Sequence, residues 1–405
     1  MKSLHIITAC ILALALVPLE AEDFMDRIDE ALTFSTFHDN VRARFSGLID
    51  LEGYSFQQPP PGLIEATCDS LFNPRLTLFL DAQFGSHFYL FVQSRLDRGF
   101  DPSDGGAQVR LDEYALRYTP WDDGRLNLQV GKFATVVGNW KDRHLSWENP
   151  FITAPLPYEN ITIISDKEAP SSPANFLGRS AADKYDSNPL IWGPNYATGA
   201  SLAGRTDKFD YAAEMKNACL SSRPESWDAT QIGFEYPTFS GRLGFRPNTM
   251  WNLGLSASTG PYFRPEAGPT LPTGQSIGDY REYVLGQDIG FAWHHWKFWA
   301  EVYEGRFEVL RVGNAGTIAY YLEAKYRFTP VVFGALRWNQ QVFGTVPDGE
   351  GGRAAWGHDL WRIDTALGCR FTAHTQIKLQ YSLQQETSGS RDFGHTIAAQ
   401  FTLRF

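Results

Sequence analysis

The side chains best placed for chemistry near the start of this sequence are arginines that alternate with apolar residues: Arg42, Arg44, Arg75, Arg95 and Arg117. Within Val41 to Tyr54, Arg42 and Arg44 share a face with Ser46, Asp50 and Glu52. Val41, Ala43, Phe45, Gly47, Ile49 and Leu51 share the other. Period two is the mark of a strand with one apolar and one polar side. Charges repeated along the polar side imply a wet surface rather than a dry core. A second charged group, Lys141, Arg143, Glu148, Glu159, Asp166, Lys167 and Glu168, lies in one long stretch. If that stretch faces the arginines across a narrow space, screening is reduced and the opposed charges act on whatever lies between them.

Bond-making chemistry has weaker candidates. Nine histidines are scattered: His87, His294, His295 and His374 fall near short turns, His144 and His358 in longer loops, and few neighbouring nucleophiles share their face, which favours interfacial or solvated histidines over a catalytic group. Asp122-Asp123 and Glu301/Glu304 read as turn and wall residues, and Gly105-Gly106 and Gly351-Gly352 as loop glycines without a phosphate-binding context. Cys68, Cys219 and Cys369 have no metal-binding spacing. A disulfide between Cys68 and Cys219 suits an oxidising compartment but needs the first long loop to fold across several strands. No catalytic, metal or cofactor site is therefore expected. A net charge of −10 argues against a nucleic-acid partner.

The elements that would position these charges are strands throughout. Ile397, Ala399, Phe401, Leu403 and Phe405 alternate with Thr396, Ala398, Gln400, Thr402 and Arg404. The same alternation gives about sixteen strands between residue 41 and the end, with short turns at Gly85, Asp122, Asp207, Pro247, Trp296, Pro330 and His374. Longer loops lie near Pro60, Gly105, Ile163, Ser222, Pro269, Gly313, Gly349 and Ser390. Thr230 to Arg246 reads as a single strand bulged near Pro237. Short turns alternating with long loops, a mean hydropathy of only −0.29 and 14% aromatic residues describe a transmembrane antiparallel β-barrel, an all-β fold whose strands turn apolar residues to lipid and polar ones to the lumen.

The N-terminus carries Lys2, an apolar run from Ile6 to Leu19 and then Ala21, the pattern of a cleavable export signal over residues 1–21. Phe24, Ile28 and Leu32 suggest a short amphipathic helix in a segment 22–40 ahead of the barrel, 41–405. Ala134 to Asn195 interrupts the strands after the fifth. At that length it is functional or disordered, and Trp140, Trp147, Phe151, Tyr158 and Trp192 argue against disorder.

A last amphipathic strand ending on Phe405 resembles the assembly signal of bacterial outer-membrane proteins. The segment Leu111-Asp112-Glu113-Tyr114-Ala115-Leu116-Arg117-Tyr118, followed by Leu126-Asn127-Leu128-Gln129-Val130-Gly131-Lys132-Phe133, is similar to the strand pair preceding the inward-folding loop of Gram-negative porins, most of all the phosphate-selective type. The resemblance implies a sixteen-stranded trimeric channel in the outer membrane, narrowed by the loop after strand five. Outer-membrane lipid, a homotrimer and the assembly machinery that reads the C-terminal strand are its implied partners. A lysine-rich lumen is absent, so phosphate selectivity is not implied.

The expected function is passive diffusion of small hydrophilic solutes or ions; a polysaccharide exporter, adhesin or structural barrel is the alternative. Arg42, Arg44, Arg75, Arg95, Arg117, Lys141, Arg143, Glu148, Asp166 and Lys167 are the expected pore-lining residues. Glu65, Asp69, Asp101, Asp104, Asp348 and Glu350 in the outer loops should enrich cations at the mouth. Together these imply weak cation preference or little charge preference, and Trp140 and Trp147 leave room for a sugar-like solute.

Overall fold

The computed structural model describes residues 20–37, 40–97, 108–387 and 393–405. The expected leader lies outside these, apart from Glu20 and Ala21, which open the helix Glu20–Ala31.

Sixteen antiparallel strands form the barrel. They are β1 Val41–Phe56, β2 Ser70–Phe84, β3 Phe88–Asp97, β4 Gln108–Tyr118, β5 Asn127–Lys132, β6 Thr198–Thr206, β7 Phe209–Lys216 and β8 Thr238–Phe245. They continue as β9 Trp251–Pro261, β10 Arg281–Trp293, β11 Trp296–Val309, β12 Gly313–Arg327, β13 Val332–Phe343, β14 Leu360–Arg370, β15 Thr375–Glu386 and β16 Gly394–Arg404. Each pairs with its neighbour in sequence, and β16 closes on β1, from Leu48↔Arg404 to Phe56↔Thr396. Closure leaves no sheet edge to be satisfied in lipid. A short strand, Thr33–Thr36, adds to the start of β1.

The C-terminal residue completes the seam. Gly47 and Phe405 exchange two backbone hydrogen bonds, 2.9 and 3.1 Å, and a Cβ on Gly47 would lie 2.5 Å from the Phe405 ring. Any side chain at Gly47 would displace the Phe405 ring from this seat.

Outward positions are apolar and exposed, among them Leu51, Leu78, Val130, Leu255, Leu336 and Ile397. Aromatic pairs ring the end that holds the short turns: Phe88–Tyr118 at 4.9 Å, Phe209–Phe245 at 5.0 Å, Trp251–Phe291 at 4.4 Å and Trp296–Tyr326 at 4.6 Å. An apolar belt edged by aromatic rings matches a hydrocarbon layer and its interface.

Three expectations need correction. The strand expected from Thr230 is β8, beginning only at Thr238; Pro237, just before it, has no N–H for the ladder. Near Gly313 there is no long loop, because β11 and β12 run on until Leu310–Val312 joins them, with Arg311 at φ 62° making the turn. The lumen is also not uniformly wet. Val137, Tyr158, Ile164, Phe176, Leu190 and Phe307 belong to one buried apolar cluster, and inward Glu301, Arg337, Asn339, Asp364 and Lys378 are buried too. The disulfide question is settled by Cys68 and Cys219 both being free, one exposed and one buried.

Candidate functional site

Residues 133–197, between β5 and β6, account for the buried polar wall. Most of this segment lacks regular secondary structure, so its N–H and C=O groups need other partners. Barrel side chains supply them. Glu214 on β7 accepts from Thr135 Oγ1 and Val136 N at 2.7 and 3.2 Å. Glu301 on β11 accepts from Asn139 N and Trp140 N at 2.6 and 2.8 Å, and from Tyr158 Oη at 2.5 Å. Lys378 on β15 donates to the carbonyls of Ser146, Asn149 and Phe151 at 2.8, 2.9 and 3.1 Å. Gln380 Oε1 accepts from Ile152 N and Thr153 N.

Buried ion pairs add to this. Arg143 meets Glu323 at 2.6 Å, and Arg362 binds Glu159. Arg337 and Arg362 share Asp364 at 2.9 and 3.0 Å. The segment thus lies mainly against β7 and β9–β15, and the wall of β1–β4 faces the remaining space, touched by the segment's ends where Ala134 N donates to Glu113 at 2.7 Å and Gln93 donates to Tyr196 Oη at 3.3 Å.

That wall carries a row of three guanidinium groups. Arg75 is held by Asp50 at 3.2 Å and Glu52 at 2.6 Å. Arg95 is held by Asp97 at 3.2 Å. Arg95 and Arg110, cross-strand partners, also share Asp112 at 3.5 and 2.7 Å. The arginine side chains are 17%, 20% and 15% exposed, whereas Asp50, Glu52, Asp97 and Asp112 are at most 4% exposed. The cations therefore front the space and the carboxylates stand behind them. Here a cavity of about 150 Å³, which we take as the passage, is lined by Arg75, Arg95 and Arg110 on the barrel side and by Trp140, His144 and Tyr196 of the segment.

The expected lining residues fall into several places. Arg75 and Arg95 line the passage. Arg44 pairs with Asp29 of the helix at 2.8 Å and is 53% exposed, Arg42 adjoins it in β1, and Arg117 lies over Tyr89 and donates to Gln129; these three sit toward the short-turn end. Lys141 pairs with exposed Asp142, and Glu148 is exposed. Arg143 and Asp166 are buried by ion pairs that hold the segment, Asp166 with Arg223 at 2.9 Å and Arg264 at 3.1 Å. Lys167 pairs with Asp186 at 2.8 Å. Trp147 is covered by Arg370 and Arg404 and Trp140 is 4% exposed, so neither offers an open ring face for a sugar.

Arg110 escapes simple alternation because the β3–β4 register shifts between Gln93 and Ser94. Opposite that step Asp112 is the extra residue, and a bulge switches which side chains point inward.

His144 sits at the narrow side with its Nδ1 on the Lys141 carbonyl and its Nε2 2.5 Å from Tyr196 Oη. A neutral ring satisfies both, donating at Nδ1 and accepting at Nε2. Burial lowers its pKa from 6.5 to about 4, against the opposing pull of the Lys141 carbonyl, Asp112 and Asp142. Between those two values the unfolded chain takes up a proton that the folded chain refuses, so stability falls with pH through that window and levels off below it. Thermal unfolding in detergent should show this loss between pH 7 and pH 4, and His144→Gln should flatten it. An unchanged slope would remove His144 as its source.

No protein-family model matches the chain, and no curated protein matches it. Solved structures do. Outer-membrane expressed OmpT of Vibrio cholerae superposes at a TM-score of 0.55 with 10% identity over 92% of this chain and 100% of that one. An anion-selective porin from Comamonas acidovorans gives 0.55 and 10% over 90% and 100%. The outer membrane channel DcaP of Acinetobacter baumannii gives 0.54 and 8% over 92% and 99%. Identities this low speak for architecture rather than solute, and on that ground the chain has the closed sixteen-stranded barrel fold of outer-membrane porins of Gram-negative bacteria.

Proposed function

We propose that this protein is an outer-membrane porin that lets small hydrophilic solutes or ions diffuse passively. The observation that carries the reading is the solvent-connected space between the guanidinium row of β2–β4 and the inserted segment. An anchor or adhesin has no need of a charged, partly hydrated slot inside its wall, whereas a channel needs fixed polar groups to replace the solute's hydration. Arg75, Arg95 and Arg110 face four carboxylates, Asp50, Glu52, Asp97 and Asp112. Near-cancellation of charge supports weak ion preference.

In the same reading residues 1–21 are removed on export, residues 22–40 stay on the periplasmic side, Phe405 addresses the chain to the assembly machinery, and the mature barrel sits in outer-membrane lipid as a homo-oligomer, a trimer by analogy of fold. Folded protein in a planar bilayer should give discrete conductance steps. Their absence, with the barrel verified by heat-modifiable gel migration, would reject the channel.

A further inference from the structure

The first outer loop lies between two cavities. The passage, of about 150 Å³, has Leu63 and Ile64 among its walls. A vestibule of about 310 Å³ lies at the long-loop end, bounded by Pro59, Pro60, Pro61 and Gly62 together with His358 and Glu386. Residues 59–64 therefore present one side to each cavity. The inserted segment completes the partition, with Glu159 lining the passage and Asn160 and Ile161 lining the vestibule.

The loop is built to move as a unit. Pro59-Pro60-Pro61 have fixed φ and no N–H to give to a ladder, so they are stiff and unpaired. Gly62, at φ 57°, turns the chain after them. Leu63 then packs against the cluster of Ile161 and Trp192, and Ile64 joins that of Tyr54, Phe56 and Ala398. Polar attachment is confined to one side chain. Among the described residues, the hydrogen bonds that reach residues 57–68 from outside the loop come from Lys184, whose Nζ donates to the Pro60 and Ile64 carbonyls at 2.6 Å each.

Lys184 is buried, and among the described residues no carboxylate lies within ion-pair distance of it. An ammonium that meets carbonyls alone gives up much of its hydration. Lifting the loop returns that charge to water and exposes Leu63 and Ile64 in exchange. The two terms oppose each other, which brings a lifted position within reach of the seated one.

We propose that residues 59–64 are a lid between the vestibule and the passage, latched shut by Lys184, and that a solute crosses when the ammonium releases both carbonyls and the loop lifts. The inference rests on the channel reading and adds to it the step that controls entry from outside.

The test places a thiol under the lid. Ile64→Cys, with Cys68 and Cys369 changed to Ser and buried Cys219 kept, is folded into lipid vesicles and exposed to a charged methanethiosulfonate reagent. Lys184→Met in this background should label about tenfold faster, because labelling follows the open fraction and hydrogen bonds from a charged group hold that fraction down. Equal rates would overturn the latch. A barrel that labels as expected yet passes no current would reject the channel and leave the latch standing. A second measurement keeps Lys184 and does not depend on its variant folding: Leu63→Cys with Ile161→Cys, two positions of one apolar cluster, bridged by a short reducible bis-methanethiosulfonate. Bridging should stop the single-channel current and dithiothreitol should restore it. A current that persists through the bridged pair would overturn the lid.

Discussion

Lys378→Met should give a barrel whose unit conductance rises severalfold and whose open current becomes noisy. Lys378 is buried and holds three carbonyls of the inserted segment, those of Ser146, Asn149 and Phe151. A methionine fills similar volume and donates nothing. Each buried carbonyl left without a donor costs about 1–3 kcal/mol, so the stretch 149–151 should leave the wall to find water. The carbonyls of Asn149 and Phe151 are the ones stranded, since Gln376 Nε2 stays on the Ser146 carbonyl at 3.2 Å, Arg370 on that of Trp147, and Gln380 and Arg337 on residues 152 and 153. Single-channel recording checks the outcome. A conductance equal to that of the native protein would show that this stretch does not bound the passage.

Asp364→Leu should be the most destabilising single change in the lumen. Arg337 and Arg362 are both buried and both lean on Asp364, which also accepts from Asn339 Nδ2 at 2.8 Å and Ser382 Oγ at 2.5 Å. Glu159 would still face Arg362 and Glu323 would remain 3.7 Å from Arg337, but two cations would share weaker partners in a dry place. Removing one side of a buried pair typically costs ~3–5 kcal/mol. Urea unfolding in lipid vesicles measures it. A loss under ~1 kcal/mol would mean that water reaches the pair and screens it, as at a surface salt bridge.

How much of this was legible depends on which physical rule was in play. Period-two alternation assigned inward and outward faces well where strands are regular, as in β16, where Phe401 and Leu403 alternate with Gln400 and Thr402. It failed at Asp112, because a bulge reverses parity without changing composition. It also stretched β8 back to Thr230 although Pro237 lies just ahead of the strand. Alternation says only that a side chain points inward. What an inward group meets is set by residues far away in sequence: Arg143 finds Glu323 180 positions on, and Lys378 reaches Ser146 across 232. A polar inner face was therefore read as water, when much of it serves the backbone of the inserted segment. Arg75 and Arg95 were found because their strands are regular; Arg143 and Asp166 were placed in the lining because a charge in a loop carries no sign of the buried partner that holds it.

The central claim is that solutes cross between the guanidinium row and the inserted segment. Its most direct test is the reversal potential under a salt gradient for the native channel and for the variant with Arg75, Arg95 and Arg110 all changed to Gln. Glutamine keeps N–H donors for Asp50, Glu52, Asp97 and Asp112 while removing the positive charge, so the carboxylates should dominate the passage. The account predicts a clear shift toward cation selectivity with higher conductance. Changing Arg42 and Arg44, at the short-turn end, should shift it far less. A reversal potential and conductance identical to the native values in the folded triple variant would contradict the account.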